Sequence, residues 1–211
     1  MRPSNVVKTD VAKSKHNVKT ASGAAPAKSA WSGRRRFDLI AFAVIAIAGV
    51  AWGISSWLGS QSESRFDDLA RSEKASLAAV ESPPFEGTGH QGPYSYRDNP
   101  PTSGRHNPLP LDPGFFEVGQ PPARLVHSLE HGHIVIYYDA AEQSDLDTLR
   151  VWTSLFTHLW GGVIATPKAG LGQSLILTAW RKKLVLKSFD EATAAAFIDR
   201  YRGRGPENPI R

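Results

Sequence analysis

Apolar residues run from Leu39 to Leu58 without a single charge. A run of about 20 residues matches the hydrocarbon thickness of a bilayer. Trp31 before it and Trp57 near its end suit the headgroup level. A cleavable signal peptide has a shorter apolar core and an Ala-x-Ala-like site. Ser56-Trp57-Leu58-Gly59 offers no such site, so an uncleaved transmembrane helix is expected over 37–59. Residues 61–80 follow with a thin apolar stripe, Phe66, Leu69, Leu77 and Val80, among charges. That spacing predicts a juxtamembrane stalk helix over 60–82, too short in heptads for a coiled coil.

Between residues 81 and 124 the pattern breaks. Pro83-Pro84, Pro100-Pro101 and Pro121-Pro122 fall here as doublets. Proline fixes φ, lacks an N–H and pushes its predecessor into extended conformations, so a stiff, irregular segment without a helix is expected. Long loops of this kind inside a compact domain tend to be functional.

Regularity returns at Leu125. Ile134-Val-Ile-Tyr-Tyr138 is apolar on both faces and predicts a buried strand. Ser144-x-x-Asp147 resembles a helix start, with Leu149, Trp152, Phe156 and Leu159 at helical spacing and Gly161-Gly162 as the stop. Val163–Thr166 predicts a second strand. Ser174–Trp180 and Leu184–Ser188 predict a hairpin across Arg181-Lys-Lys183. Ser188-x-x-Glu191 caps a last helix with Ala194, Phe197, Ile198 and Tyr201 inward, ended by Gly203 and Pro206. The order β-α-β-β-β-α defines an α/β (α+β) fold with one mixed sheet over 83–205.

Charge divides the chain. Residues 1–36 hold nine Lys or Arg against one Asp, a net +8, which leaves −3 of the formal +5 for 37–211. The basic tail therefore says nothing about a basic face on the domain. Its composition predicts disorder, and its place before an apolar run marks topogenic charge rather than a nucleic-acid arm. The expected address is the cell membrane, single-pass, with the amino end cytoplasmic and the domain outside. No cysteine is present and Met1 is the one methionine. Thiolate chemistry and a soft Cu(I) site are excluded, while zinc or Cu(II) on imidazoles stays open.

Five of the seven histidines lie between His90 and His133. Asn99-Pro-Pro-Thr-Ser-Gly-Arg-His106 and Leu125-Val-His-Ser-Leu-Glu-His-Gly-His133 carry most of them. The second contains H-x-x-E-H, an inverted zinc-peptidase signature, but Gly132 and a strand follow at once, so no sustained helix can carry it. One helical turn would place His127 and His131 side by side. An extended backbone would instead align His127, His131 and His133 on one face, with Glu130 pointing elsewhere and fixing an imidazole tautomer. His106, delivered by the proline turn, completes a three-imidazole set, and His90 or His133 is the fourth candidate. Thr102 and Ser103 stand behind as turn-forming hydroxyls. Ser103 as a nucleophile with His106 lacks an orienting acid and a strand–turn–helix context. His158 falls off the apolar face of its helix and is expected in solvent.

Pro-Pro-Thr-Ser-Gly-x-His, followed by Leu-Val-His-Ser-Leu-Glu-His-Gly and an apolar strand, resembles the bacterial family catalogued as domain of unknown function 3105. The resemblance runs from about His90 to about Tyr201. It implies a membrane-anchored exported domain of no established activity, with His90, His106, His127, Glu130 and His131 on motif positions and His133 outside them. Two functions stay open. One is binding of zinc or Cu(II) by the clustered histidines. The other is a non-catalytic envelope interaction module, its histidines in a structural hydrogen-bond network and its partner engaged through 61–80.

Overall fold

The computed structural model describes the backbone of residues 31–211 and the side chains from residue 39 onward. The basic tail expected over 1–36 thus lies outside the described residues as far as residue 30. Its end, Arg34–Arg36 included, belongs to the first helix, α1 (Trp31–Ala70). The chain divides into two compact units, residues 1–49 and 50–211. The described part of the first is a stretch of α1. That helix is long and apolar enough to cross a bilayer, and its most apolar stretch is unburied. A membrane anchor and a signal sequence share this property.

The second unit is an α+β domain on one five-stranded sheet. Its elements are β1 (Gly114–Phe115), α2 (Pro122–Glu130), β2 (Ile134–Tyr138), α3 (Gln143–Leu155), β3 (Val163–Pro167), β4 (Leu175–Ala179), β5 (Lys182–Leu186) and α4 (Glu191–Tyr201). The spatial order is β1-β3-β2-β4-β5. β1 and β2 run parallel to β3, while β4 lies antiparallel to β2 and β5 to β4. Ile136 stands opposite Ala165 on one side and Leu177 on the other.

Alternation along β2 explains its unbroken apolarity. Ile134, Ile136 and Tyr138 face one core with Leu149 and Trp152 of α3 and with Phe197 and Ile198 of α4. Val135 and Tyr137 face the other with Leu111 and with Leu125 and Leu129 of α2. A strand covered on both faces needs no polar positions. The hairpin turns at Arg181, whose φ is 55°. Its N–H donates to Thr102 O at 2.9 Å, tying the sheet to the proline-rich loop. Asp190, not Ser188, caps α4 by accepting from Thr193 N–H.

Three elements depart from expectation. β1 is two residues long, too short to leave a periodic signal. α2 begins at Pro122, so its first turn falls in the last residues of the segment expected to hold no helix. Pro122 sits in its first turn, where a missing N–H costs nothing and a fixed φ suits the helix. The helix expected to reach Val80 ends at Ala70 and gives way to turns. Its stripe is covered by the domain itself. Phe66 is 2% exposed and meets Trp152 and Phe156 edge-on, with ring centroids 5.6 and 4.7 Å away. Leu69, Leu77 and Val80 pack against the same core.

Candidate metal centre

α2 lays Leu125 and Leu129 on the sheet, which turns His127, Glu130 and His131 toward the proline-rich loop. His131 N–H bonds to His127 O at 3.1 Å, so the two histidines stand one helical turn apart on one face. The extended geometry is thereby ruled out, and Glu130 points into the cluster instead of away from it.

Two backbone bonds bring the other histidines in. Gly104 N–H donates to Gly87 O and His106 N–H to Gly89 O, each at 2.9 Å. His90 thus runs alongside His106. Gly104 has φ +119°, and a Cβ there would stand 2.9 Å from the Tyr96 ring. The turn demands glycine. Asn107 N–H then bonds to Ala123 O at the start of α2.

The ring nitrogens fall into two groups with the composition and spacing to hold a metal ion. The inner group is His90, His106, His127 and Glu130; the outer is His127, His131 and Glu207. Within each, one ligand atom per residue lies within 4.8 Å of the others. A tetrahedral zinc with ordinary bond lengths wants ligand atoms about 3.3 Å apart, so small rotamer adjustments would close either set.

Hydrogen bonds decide the tautomers. His106 Nδ1 lies 2.7 Å from Gly104 O and His127 Nδ1 2.7 Å from Asn107 O. A carbonyl only accepts, so both rings donate from Nδ1, which leaves Nε2 of each as the atom free to ligate. His106 Nε2 stands 2.9 Å from Glu130 Oε2. The approach lacks hydrogen-bond alignment, and this fully buried nitrogen has no hydrogen-bond partner within the protein. Either a proton on the ring or a metal ion would join the two. Thr88 Oγ1–H donates to the other Glu130 oxygen and holds the carboxylate in place.

His127 is held below its ordinary pKa, chiefly by burial and then by the neighbouring His131, His106 and His90. The carbonyl of Asn107 opposes the shift. A neutral imidazole is the form that ligates metal. His90, with a side chain 47% exposed, stacks on His127 at 4.7 Å between centroids and closes the inner group toward solvent.

His131 Nε2 is 3.0 Å from Glu207 Oε2, and His127 Nε2 is 3.8 Å from the same oxygen. Trp160 lies over the His131 ring at 4.2 Å. Glu207 arrives from the segment after α4. Gly203 N–H donates to Gly132 O at 2.8 Å, and Gly205 passes so close that a Cβ would stand 2.1 Å from Glu130 O. Sequence reasoning missed Glu207, because Gly203 and Pro206 read only as helix stops. No local pattern marks it.

His133 joins neither group. It is buried, donates Nε2–H to Leu159 O at 2.8 Å, and is pushed down to about pKa 3 by burial above all. Ser103 Oγ accepts from Glu86 N–H at 3.0 Å, and Thr102 supplies the carbonyl taken by Arg181; both are turn residues. His158 is exposed as expected, its Nδ1 accepting from Trp160 N–H.

The fold and the site together define a mixed α+β domain with a buried histidine–carboxylate cluster behind an apolar helix. The family described as "Protein of unknown function (DUF3105)" matches residues 88–210. The chain belongs to that family, and the match takes in every member of both ligand groups. No curated protein and no solved structure matches the chain.

Proposed function

We propose that the domain binds one divalent transition-metal ion, zinc or Cu(II), through His106, His127, Glu130 and His90. The single observation carrying this is the His106–Glu130 contact. A buried ring nitrogen and a carboxylate oxygen lie 2.9 Å apart without an aligned hydrogen bond, an arrangement that a shared cation would satisfy. Nitrogen and oxygen donors with no thiolate suit zinc and Cu(II) alike. The inner group is favoured over the outer because its two buried rings have their second nitrogens anchored on carbonyls, the usual support of a metal-bound histidine. A metal held there with an open position would polarise bound water or hold a small anion. In this reading α1 anchors the domain in a membrane with Arg34–Arg36 on the cytoplasmic side, following the Lys/Arg excess of the tail.

The test is elemental analysis of the full chain, purified in detergent without chelators and again after zinc or copper reconstitution. The expected result is one ion per chain, lost in His106→Ala and Glu130→Gln variants that keep their circular dichroism. A wild-type chain that stays metal-free after reconstitution overturns the reading. It would leave the histidines as a polar network of an interaction module, the role His133 already has toward Leu159.

A further inference from the structure

The two ligand groups share His127, and that sharing has a chemical consequence. Its Nδ1 is committed to Asn107 O, so only Nε2 can ligate, and one lone pair serves one ion at a time. The groups are therefore alternatives. They are also unequal. His106 and His127 are fixed by backbone carbonyls, and the Glu130 carboxylate is fixed by Thr88. His131 is 7% exposed, yet its Nδ1 has no hydrogen-bond partner, so no backbone carbonyl anchors its ring. Glu207 is the solvent-facing member, its side chain 42% exposed.

We infer that His131 and Glu207, with His127 between them, form a staging position that captures an incoming divalent ion and hands it to the inner group. This rests on the metal reading proposed above. Two members face solvent, Glu207 in the outer group and His90 in the inner, and the carboxylate of Glu207 is the one that attracts an arriving hydrated ion first. The carboxylate attracts the ion and replaces a water. His131 and His127 then replace others, each ring offering a lone pair beside the charge already placed. Transfer is a ligand exchange without redox change. The ion keeps His127 Nε2, its bonds to Glu207 and His131 break, and bonds to His106, Glu130 and His90 form. The direction is inward because the inner group offers four donors against three, and both of its buried rings are anchored on carbonyls.

The experiment uses the full chain in detergent and zinc as the probe, in stopped flow against a competing chromophoric chelator. Glu207→Gln is the main variant, since an exposed isosteric change leaves the core untouched, and His131→Gln is the second. Wild type is expected to hold one zinc per chain at saturation. Glu207→Gln is expected to hold one zinc with nearly unchanged affinity but to load roughly tenfold or more slowly, as loss of a steering carboxylate does. His131→Gln should behave in the same way. Unchanged loading rates in both variants overturn the staging role while leaving the inner site intact. Loss of equilibrium binding in Glu207→Gln makes Glu207 a resident ligand and overturns it too. So do two zinc ions per wild-type chain, because His127 would then not be limiting. A wild-type chain that binds no zinc removes the metal reading itself, and is told apart by being read on the unmutated protein.

Discussion

His133 has exchanged water for a single carbonyl, and its charge has nowhere to go. With the folded-state pKa near 3 and an ordinary value of 6.5, the unfolded chain takes up this proton first as pH falls. The contribution of neutral His133 is therefore complete above about pH 6.5 and is lost as pH drops toward 3. One such group tilts stability by at most about 1.4 kcal/mol per pH unit across that window. Denaturant unfolding of wild type and His133→Gln between pH 7 and 4 should show a shallower fall in the variant, whose amide can still donate to Leu159 O. Parallel curves would show that acid sensitivity arises elsewhere. Gly205 gives a second prediction at this scale. A methyl group there would overlap Glu130 O and Gly132 N at 2.1 and 2.2 Å, both backbone atoms that cannot swing aside. Gly205→Ala should cost about 1–3 kcal/mol or more. It should also weaken the approach of Glu207. Equal thermal midpoints for Gly205→Ala and wild type would refute the tight seam between the last segment and α2.

At the scale of elements, Phe66 joins the end of α1 to the domain core. It is fully enclosed between Trp152 and Phe156, so Phe66→Ala should destabilise the domain by about 3–5 kcal/mol. A loss under 1 kcal/mol in urea unfolding would mean the helix end contributes little. Periodicity placed Phe66 on an apolar stripe but could not name what covers it, because a stripe reads the same against a partner or against its own domain. β2, α3, the β4–β5 hairpin and α4 were legible for the opposite reason. Their apolar positions repeat at strand or helix spacing. α3, however, starts at Gln143 without a side-chain cap and ends at Leu155, short of the stop expected at Gly161-Gly162, which leaves His158 and Leu159 beyond it. α2 was legible only as one of two alternatives for 127–131, since Pro121-Pro122 carries the same letters whether it stiffens a loop or opens a helix. That one element decided the site. Its turn puts His127 and His131 side by side and swings Glu130 inward, whereas an extended chain would have sent Glu130 away.

At the scale of the molecule, the centre is assembled from four places in the chain: the loop at His90, the turn at His106, α2, and the segment carrying Glu207. The histidines were visible in the sequence as a cluster because three of them sit on one short motif. The facing of His106 and Glu130, and the arrival of Glu207, follow only from how the loop and the last segment pack on α2. A site drawn from distant segments couples binding to folding: an ion held by His90, His106 and α2 together exists only on the folded domain. Zinc at 100 times its dissociation constant should then stabilise the native state by about 2.7 kcal/mol. For a domain of this size that raises the thermal midpoint by roughly 5–10 °C. His106→Ala should abolish the rise, because it removes the buried ring nitrogen that faces Glu130. Glu207→Gln should keep most of it, because the exposed carboxylate acts on the path of the ion and not on its final position. A midpoint indifferent to zinc in wild type would count against metal at this centre. An equal loss of the rise in both variants would merge the two groups into one site.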